Sequence, residues 1–360
     1  MKKIVLFGPL GNNIPKERIG GAEKGCRRSI CLLEENNFDV IAIEKPTMFY
    51  GIKRFVIGYY HCIIKLIGEL RKKDESVFYL IGFYDKQIYL EAFMIFLAHL
   101  FKRKIVYEPK NGGLVKLYNS SSSMYKKASD YIFRNSNVIF CQGMEYVRFL
   151  EKSGYVNQIY LPNYISNENQ RYYLENDEQS RRFDIIYVGR LTKDKNVELV
   201  IDAFEEIVRC KKDARLVLIG GAEDTYKRKL MEKLGNCGIL KSTVITGVLQ
   251  FKDISKYLMS AKYFVFPSNN KSEGHSNALT EAMYFGVVPI ASDIGFNRDV
   301  IGNDELIVEK YNASDYASKI LAIEEDRHWL QLSTCVRKRV LNEFTENAVI
   351  DRYLGVLNKL

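Results

Sequence analysis

The amino-acid sequence predicts an α/β chain built from two doubly wound parallel-sheet domains. Three observations lead there. Strand-like and helix-like segments alternate through both halves, a polar stretch without periodicity separates the halves, and 360 residues suffice for two cores. Hydrophobic residues make up 47% and charged residues 27%, the proportions of a folded chain and not of a disordered one.

In the first half, strands are predicted at Lys3–Phe7, Phe38–Ile43, Val77–Leu80, Lys104–Tyr107 and Val138–Cys141. Helices are predicted at Ala22–Glu35, Lys53–Arg71, Glu91–Phe101 and Glu145–Ser153. The opening Met1–Gly8 could pass for a signal peptide, but its apolar run is short and ends in a Gly-Pro loop, so it reads as a buried strand. Ser120–Ser123 reads as a loop or a helix start, and His61 and His99 as packing residues of apolar helices. From Asn163 to Arg182 the chain reads as a linker. The second half then places strands at Asp184–Val188, Arg215–Ile219, Val244–Thr246, Tyr263–Phe266, Val287–Ile290 and Leu306–Val308, with a helix at Val197–Val208. The domains expected are 1–165, a linker at 166–182, a second domain at 183–343 and a terminal helix at 344–360.

Composition narrows the function. Seven cysteines, odd in number and without C-x-x-C spacing, suggest neither a disulfide framework nor a zinc site, and fit a reducing cytoplasm. The longest apolar stretch, Ala92–Phe101, is shorter than the roughly 20 residues that span a bilayer, so no transmembrane helix is expected. Residues 1–170 hold 25 Lys+Arg against 16 Asp+Glu, whereas residues 171–360 hold 28 of each, so the net +9 belongs to the first half. Much of it lies among aromatics between Met48 and Lys73 and again at Lys102–Lys104. Two readings of that stretch stay open. One is a surface attached to anionic lipid heads; the other is ordinary helices with apolar residues inside and charges in water. No nucleic-acid-binding motif accompanies the charge.

Two strand–loop–helix junctions carry the chemistry. After the strand ending at Phe266 comes Ser272-Glu273-Gly274-His275-Ser276-Asn277-Ala278, then a helical run through Glu281. Ligands of open α/β sheets bind at that carboxyl edge. Gly274 allows close backbone approach, Ser276 or Asn277 can cap the helix, and the first-turn N–H groups favour an anion. Glu281 can accept two hydrogen bonds from vicinal hydroxyls such as those of a ribose, and Glu273 lies on the loop, nearer the reacting end. The other junction is Gly189-Arg190-Leu191-Thr192-Lys193-Asp194-Lys195-Asn196, where a forked guanidinium and a compact ammonium suit a diphosphate. Lys193 competes with Lys195, and Lys195 is favoured. Gly20-Gly21-Ala22-Glu23 opens the first helix; taken alone it is a tight turn. A dinucleotide fingerprint is missing, which disfavours a dehydrogenase.

Together, these strings resemble the retaining glycosyltransferases of family four: E-x7-E at Glu273 and Glu281, G-R-L…K-N at Gly189–Asn196, and G-G-A-E at Gly20–Glu23. The resemblance implies the GT-B fold, two Rossmann-like domains facing across a cleft. It implies a nucleotide diphosphate sugar as donor and a saccharide acceptor, with a lipid-linked saccharide in surface polysaccharide assembly preferred. Glu273, Arg190 and Lys195 would be catalytic. Gly20, Gly21, Gly247, Gly274, Ser276, Asn277, Ala278 and Glu281 would join them in holding the donor. Lys110 or Asn111 occupies the place where many relatives carry a His or Arg that reaches the donor sugar or acceptor. Phe296 and Arg298 depart from the family's string after Gly295. His275 lies in the motif but is given no acid/base work. Stabilising the leaving group this way needs no metal, and no D-x-D element is present, so no metal or other cofactor is expected. Two other classes stay open, a nucleotide-sugar epimerase of the same architecture and a non-catalytic partner subunit. The expected location is the cytoplasm or the inner face of the cell membrane.

Overall fold

The computed structural model describes residues 1–15, 19–110, 112–173 and 181–360. The chain forms two compact units, Met1–Pro162 with Ile350–Leu360, and Asn163–Val349. The boundary at Pro162 precedes the stretch expected as linker, which contains a four-residue helix, Asn167–Gln170.

The first unit runs β1 (Lys2–Gly8), α1 (Gly21–Glu35), β2 (Phe38–Glu44), α2 (Ile52–Leu70), β3 (Val77–Gly82), α3 (Ile88–Leu100), β4 (Lys104–Pro109), α4 (Leu114–Ser120), α5 (Ser123–Asn135), β5 (Val138–Cys141), α6 (Met144–Lys152) and β6 (Gln158–Tyr160). Its sheet is parallel, in the order β2-β1-β3-β4-β5-β6. The run Ile4–Phe7 is fully buried, as a central strand covered on both faces requires. Ser122 caps α5, so the serine run is a helix start. Tyr353, near the chain's end, packs its ring 6.4 Å from Tyr79 and 5.4 Å from Phe140. His61 and His99, expected among packing residues, are exposed, because α2 and α3 turn those faces outward.

The second unit runs α7 (Asn167–Gln170), β7 (Asp184–Val188), α8 (Val197–Cys210), β8 (Arg215–Ile219), α9 (Asp224–Asn236), β9 (Thr243–Gly247), α10 (Phe251–Ser260), β10 (Tyr263–Phe266), α11 (Asn277–Tyr284), β11 (Val288–Ser292), α12 (Asn297–Ile301), β12 (Ile307–Val308), α13 (Ala313–Glu325) and α14 (Trp329–Glu343). The last helix, α15 (Glu346–Lys359), begins in this unit and clusters with the first from Ile350 onward. The sheet is again parallel, in the order β12-β11-β10-β7-β8-β9. Strand order reverses between β7 and β10, which pair directly, Tyr263 on Ile185 and Phe264 on Ile186. The loops leaving these two strands therefore start side by side, at the kind of strand-order reversal where such sheets bind ligands.

Candidate functional site

Both motif loops of the second unit leave from that reversal point. Lys195 ends a 3₁₀ turn after β7, and Glu273 lies on the loop after β10. Although 78 residues apart, they meet: Lys195 Nζ donates to Glu273 Oε2 at 2.5 Å. The pair is largely desolvated, the two side chains being 14% and 10% exposed. Ser268 Oγ donates to the same carboxylate oxygen at 2.5 Å, and Ser292 Oγ in turn bonds the Ser268 carbonyl at 2.6 Å. A buried charge needs such partners to be tolerated. Neither serine stood out in the sequence, though both lie at or just after strand ends on the ligand edge.

The backbone around the pair leaves no room. A Cβ on Gly295, whose φ is +57°, would lie 1.8 Å from the Glu273 carbonyl oxygen. A Cβ on Gly220, at φ +149°, would lie 1.8 Å from the carbonyl oxygen of Gly189. Gly189 N donates to Ile219 O, Leu191 N to Gly221 O and Gly220 N to Gly247 O, so three successive strand ends are laced together. Gly247 has φ +76° and open space where a Cβ would sit.

Arg190 is exposed and takes part in no ion pair among the described residues. Its carbonyl accepts from the Tyr187 hydroxyl at 3.0 Å. Burial pushes the Tyr187 hydroxyl well above its ordinary range, and the charges of Glu273 and Asp194 act in the same direction, opposed by Arg190. Tyr187 thus stays a neutral donor beneath the loop. Of the two candidate lysines, Lys195 faces Glu273, while Lys193 lines a shallow groove of about 570 Å³ with Asn196, Glu198, Tyr226 and Asn269.

Ser276 is the N-cap of α11, its Oγ accepting from Leu279 N at 3.3 Å. The N–H groups of Asn277 and Ala278 in the first turn are therefore directed along the helix axis toward the loop that carries Gly274. Glu281 lies half-buried in the second turn. His275 is buried, with Nε2 2.8 Å from Thr280 Oγ1 and its ring edge-on to Phe344 at 4.9 Å, and its carbonyl accepts from Asn163 Nδ2. That is a packing and positioning role. Where the sequence departs from the family string, Arg298 grips Asp293 with two bonds, Nε to Oδ1 at 3.1 Å and Nη2 to Oδ2 at 2.8 Å. The fork pins the loop that carries Gly295.

In the first unit, Gly20 is the N-cap of α1 and its N–H donates to Glu23 Oε2 at 2.9 Å; Gly21 begins the helix. The glycine pair and Glu23 thus form a capped helix start. The Lys110 side chain is 7% exposed and ion-paired with buried Glu108, which also accepts from Tyr79 at 2.6 Å. A carboxylate buried inside β4 demands a counter-charge, and Lys110 supplies it. Asn111 lies outside the described residues. As for metals, Asp202, Glu205 and Cys237 bring three potential ligand atoms within 4.8 Å of one another. Lys233 pairs with Asp202 and Arg209 with Glu205, so cations already neutralise that cluster.

Residues 170–340 match the family described as glycosyl transferases group 1. Among curated relatives, the chain is 28% identical to the capsular polysaccharide biosynthesis glycosyltransferase CapM of Staphylococcus aureus over 182 residues, 49% of this chain and 46% of CapM. It is 30% identical over 145 residues to the N-acetylgalactosamine-N,N'-diacetylbacillosaminyl-diphospho-undecaprenol 4-alpha-N-acetylgalactosaminyltransferase of Campylobacter jejuni, 39% of this chain and 37% of that protein. The chain thus spans less than half the length of these curated relatives. Among solved structures, HepE of Anabaena in complex with UDP matches all of both chains with a TM-score of 0.75 at 16% identity. That likeness is one of fold, and the fold is GT-B, as the sequence predicts.

Proposed function

We propose that the chain is a retaining glycosyltransferase that moves a hexose-type sugar from a nucleotide diphosphate sugar to a saccharide acceptor, a lipid-linked one in cell-surface polysaccharide assembly, at the inner face of the membrane. The observation that carries this reading is the buried Lys195–Glu273 pair at the point where strand order reverses, beside the start of α11 and the exposed Arg190. As the bond between the sugar's anomeric carbon and the diphosphate breaks, negative charge collects on the leaving group. Arg190, the Lys195 ammonium and the first-turn N–H groups of α11 would stabilise it there without reorganising. Glu273, bonded by Lys195 and Ser268, holds the ammonium in place, and Glu281 would take the ribose hydroxyls. Gly20, Gly21, Gly247, Gly274, Ser276, Asn277 and Ala278 would complete the donor site. Partners named for relatives support the substrates: UDP for HepE, a diphospho-undecaprenol saccharide for the Campylobacter enzyme.

A thermal-shift screen of nucleotide sugars, followed by transfer assays with lipid-linked saccharides, tests the proposal. The expected result is one stabilising donor whose sugar reaches the acceptor with its anomeric configuration kept. Conversion of the donor with no acceptor present would make the protein an epimerase, and failure to bind any nucleotide would make it a non-catalytic subunit. Glu281→Ala should weaken nucleotide binding in calorimetry; unaltered affinity would remove its ribose role.

A further inference from the structure

Helix α2 is turned inside out for a core helix. Of its nineteen residues only Tyr59, Leu66 and Leu70 are buried. Ile52, Val56, Tyr60 and Ile64, one stripe at four-residue spacing, are each more than half exposed. The outward face of α3 repeats the pattern: Tyr89, Phe93, Phe96 and Leu100 are 40–60% exposed, with the Phe93 and Phe96 rings stacked at 6.5 Å. The two helices lie side by side, with both ends of α3 tied to α2. Tyr59 of α2 bonds Gln87, the N-cap of α3, at 2.6 Å, and Arg103 just past α3 bonds the Leu70 carbonyl at the end of α2 at 2.8 Å. Their stripes therefore belong to one surface of the first unit. Apolar area on this scale, gathered on two neighbouring helices, marks an interaction site and not scattered exposure.

Charge selects the partner. Residues 48–73 carry six Lys and Arg against one Asp or Glu, and Lys53, Arg54, Lys65 and Arg71–Lys73 are all exposed. A second copy seated on this face would set like charges against each other. An anionic bilayer accepts both components: acyl chains take the aliphatic and aromatic groups, and headgroups take the cations. We propose that the α2–α3 face is a docking surface that lies in the headgroup region of an anionic membrane, with its apolar stripe inserted. Among the described residues no helix is long and apolar enough to cross a membrane, so the attachment is in-plane. This deepens the functional reading, on which it rests only for the acceptor's place in the same membrane; exposure and charge carry the surface itself.

The test is co-sedimentation of the full chain with vesicles of phosphatidylcholine alone, or of equal parts phosphatidylcholine and phosphatidylglycerol. The wild type should pellet with the anionic vesicles and bind the neutral ones about tenfold or more weakly. The double variant Val56→Glu/Phe96→Glu, altered only at exposed positions, should melt as the wild type does and stay in the supernatant. Three results would overturn the proposal: wild type left in solution with anionic vesicles, equal sedimentation of the double variant, or wild-type self-association in ultracentrifugation that the double variant abolishes. No sugar transfer enters the measurement, so failure of the transferase reading would leave this result intact.

Discussion

Arg190 and Lys195 are given the same chemical task, yet the structure surrounds them so differently that their alanine variants separate catalysis from stability. Arg190 is exposed and outside the ion pairs of the described residues, so Arg190→Ala should change unfolding free energy by no more than about 0.5 kcal/mol. Loss of one preorganised donor to a developing anion costs about 3 kcal/mol, on the order of a hundredfold in turnover. Lys195→Ala should lose the same in rate and also destabilise, because it strands the Glu273 carboxylate, 10% exposed, with Ser268 as its remaining donor. Breaking a buried pair from one side costs about 3–5 kcal/mol. Adding Glu273→Gln removes the stranded charge, so the double variant should recover much of the stability and none of the turnover. Urea unfolding reads the first quantity, and release of nucleoside diphosphate from the best donor of the thermal-shift screen, with lipid-linked saccharides present, reads the second. Wild-type turnover by folded Arg190→Ala or by the double variant would refute the assignment of these cations to the leaving group.

Gly295→Ala forces a Cβ to within 1.8 Å of the Glu273 carbonyl, so it should destabilise by several times the roughly 1 kcal/mol that Gly247→Ala costs through its left-handed φ alone; equal urea midpoints for the two would show that the Gly295 contact relaxes freely. A third expectation concerns acid. The Glu69 carboxyl is held below its ordinary range by hydrogen bonds from Lys72 and Lys3, and Asp74 is lowered by Ser76, Lys3 and Arg103 against the opposing effect of burial. A carboxylate with a depressed folded value stabilises above its unfolded pKa, about 4, and loses that contribution as pH falls through the folded value. Lys3→Met should therefore lower the stability of the first unit at neutral pH, with the deficit shrinking under acid. A deficit that stayed constant down to acid unfolding would contradict the linkage.

Strands were legible where both faces are covered. Asp184–Val188, Arg215–Ile219 and Tyr263–Phe266 are short apolar runs, and they are strands with the bounds their pattern predicts. The edge strand Gln158–Tyr160 was not, because three half-buried residues carry no period. Helix α4 escaped for a related reason, having one buried residue, whereas α5 buries Tyr125, Ser129, Ile132 and Phe133 at helical spacing and was read only as the helix start at its serine cap. Lys110 shows a different limit. Its neighbour Glu108 falls one residue past the strand predicted at Lys104–Tyr107, and the register of β4 against β3, Glu108 beside Ile81, reveals that it is buried and in need of a cation.

The stretch from Met48 to Lys73 had two readings because α2 carries apolar residues around most of its circumference, and a helical period alone does not say which face turns inward. Packing fixes only which face turns inward: three side chains reach the core, and the Ile52–Ile64 stripe is left outside. The site in the second unit depended on topology in the same way. Each motif loop could be read from local sequence, but Lys195 and Glu273 are neighbours only because the chain places β10 directly beside β7 after passing through β8 and β9. Had β10 been added outside β9, the same two strings would sit two strands further apart, with no pair to desolvate and no common anion site. The strand order is therefore as much a component of the candidate site as either side chain, and it explains why Ser268 and Ser292, silent in the sequence, complete it: both lie at or just past the ends of strands, β10 and β11, that follow the reversal.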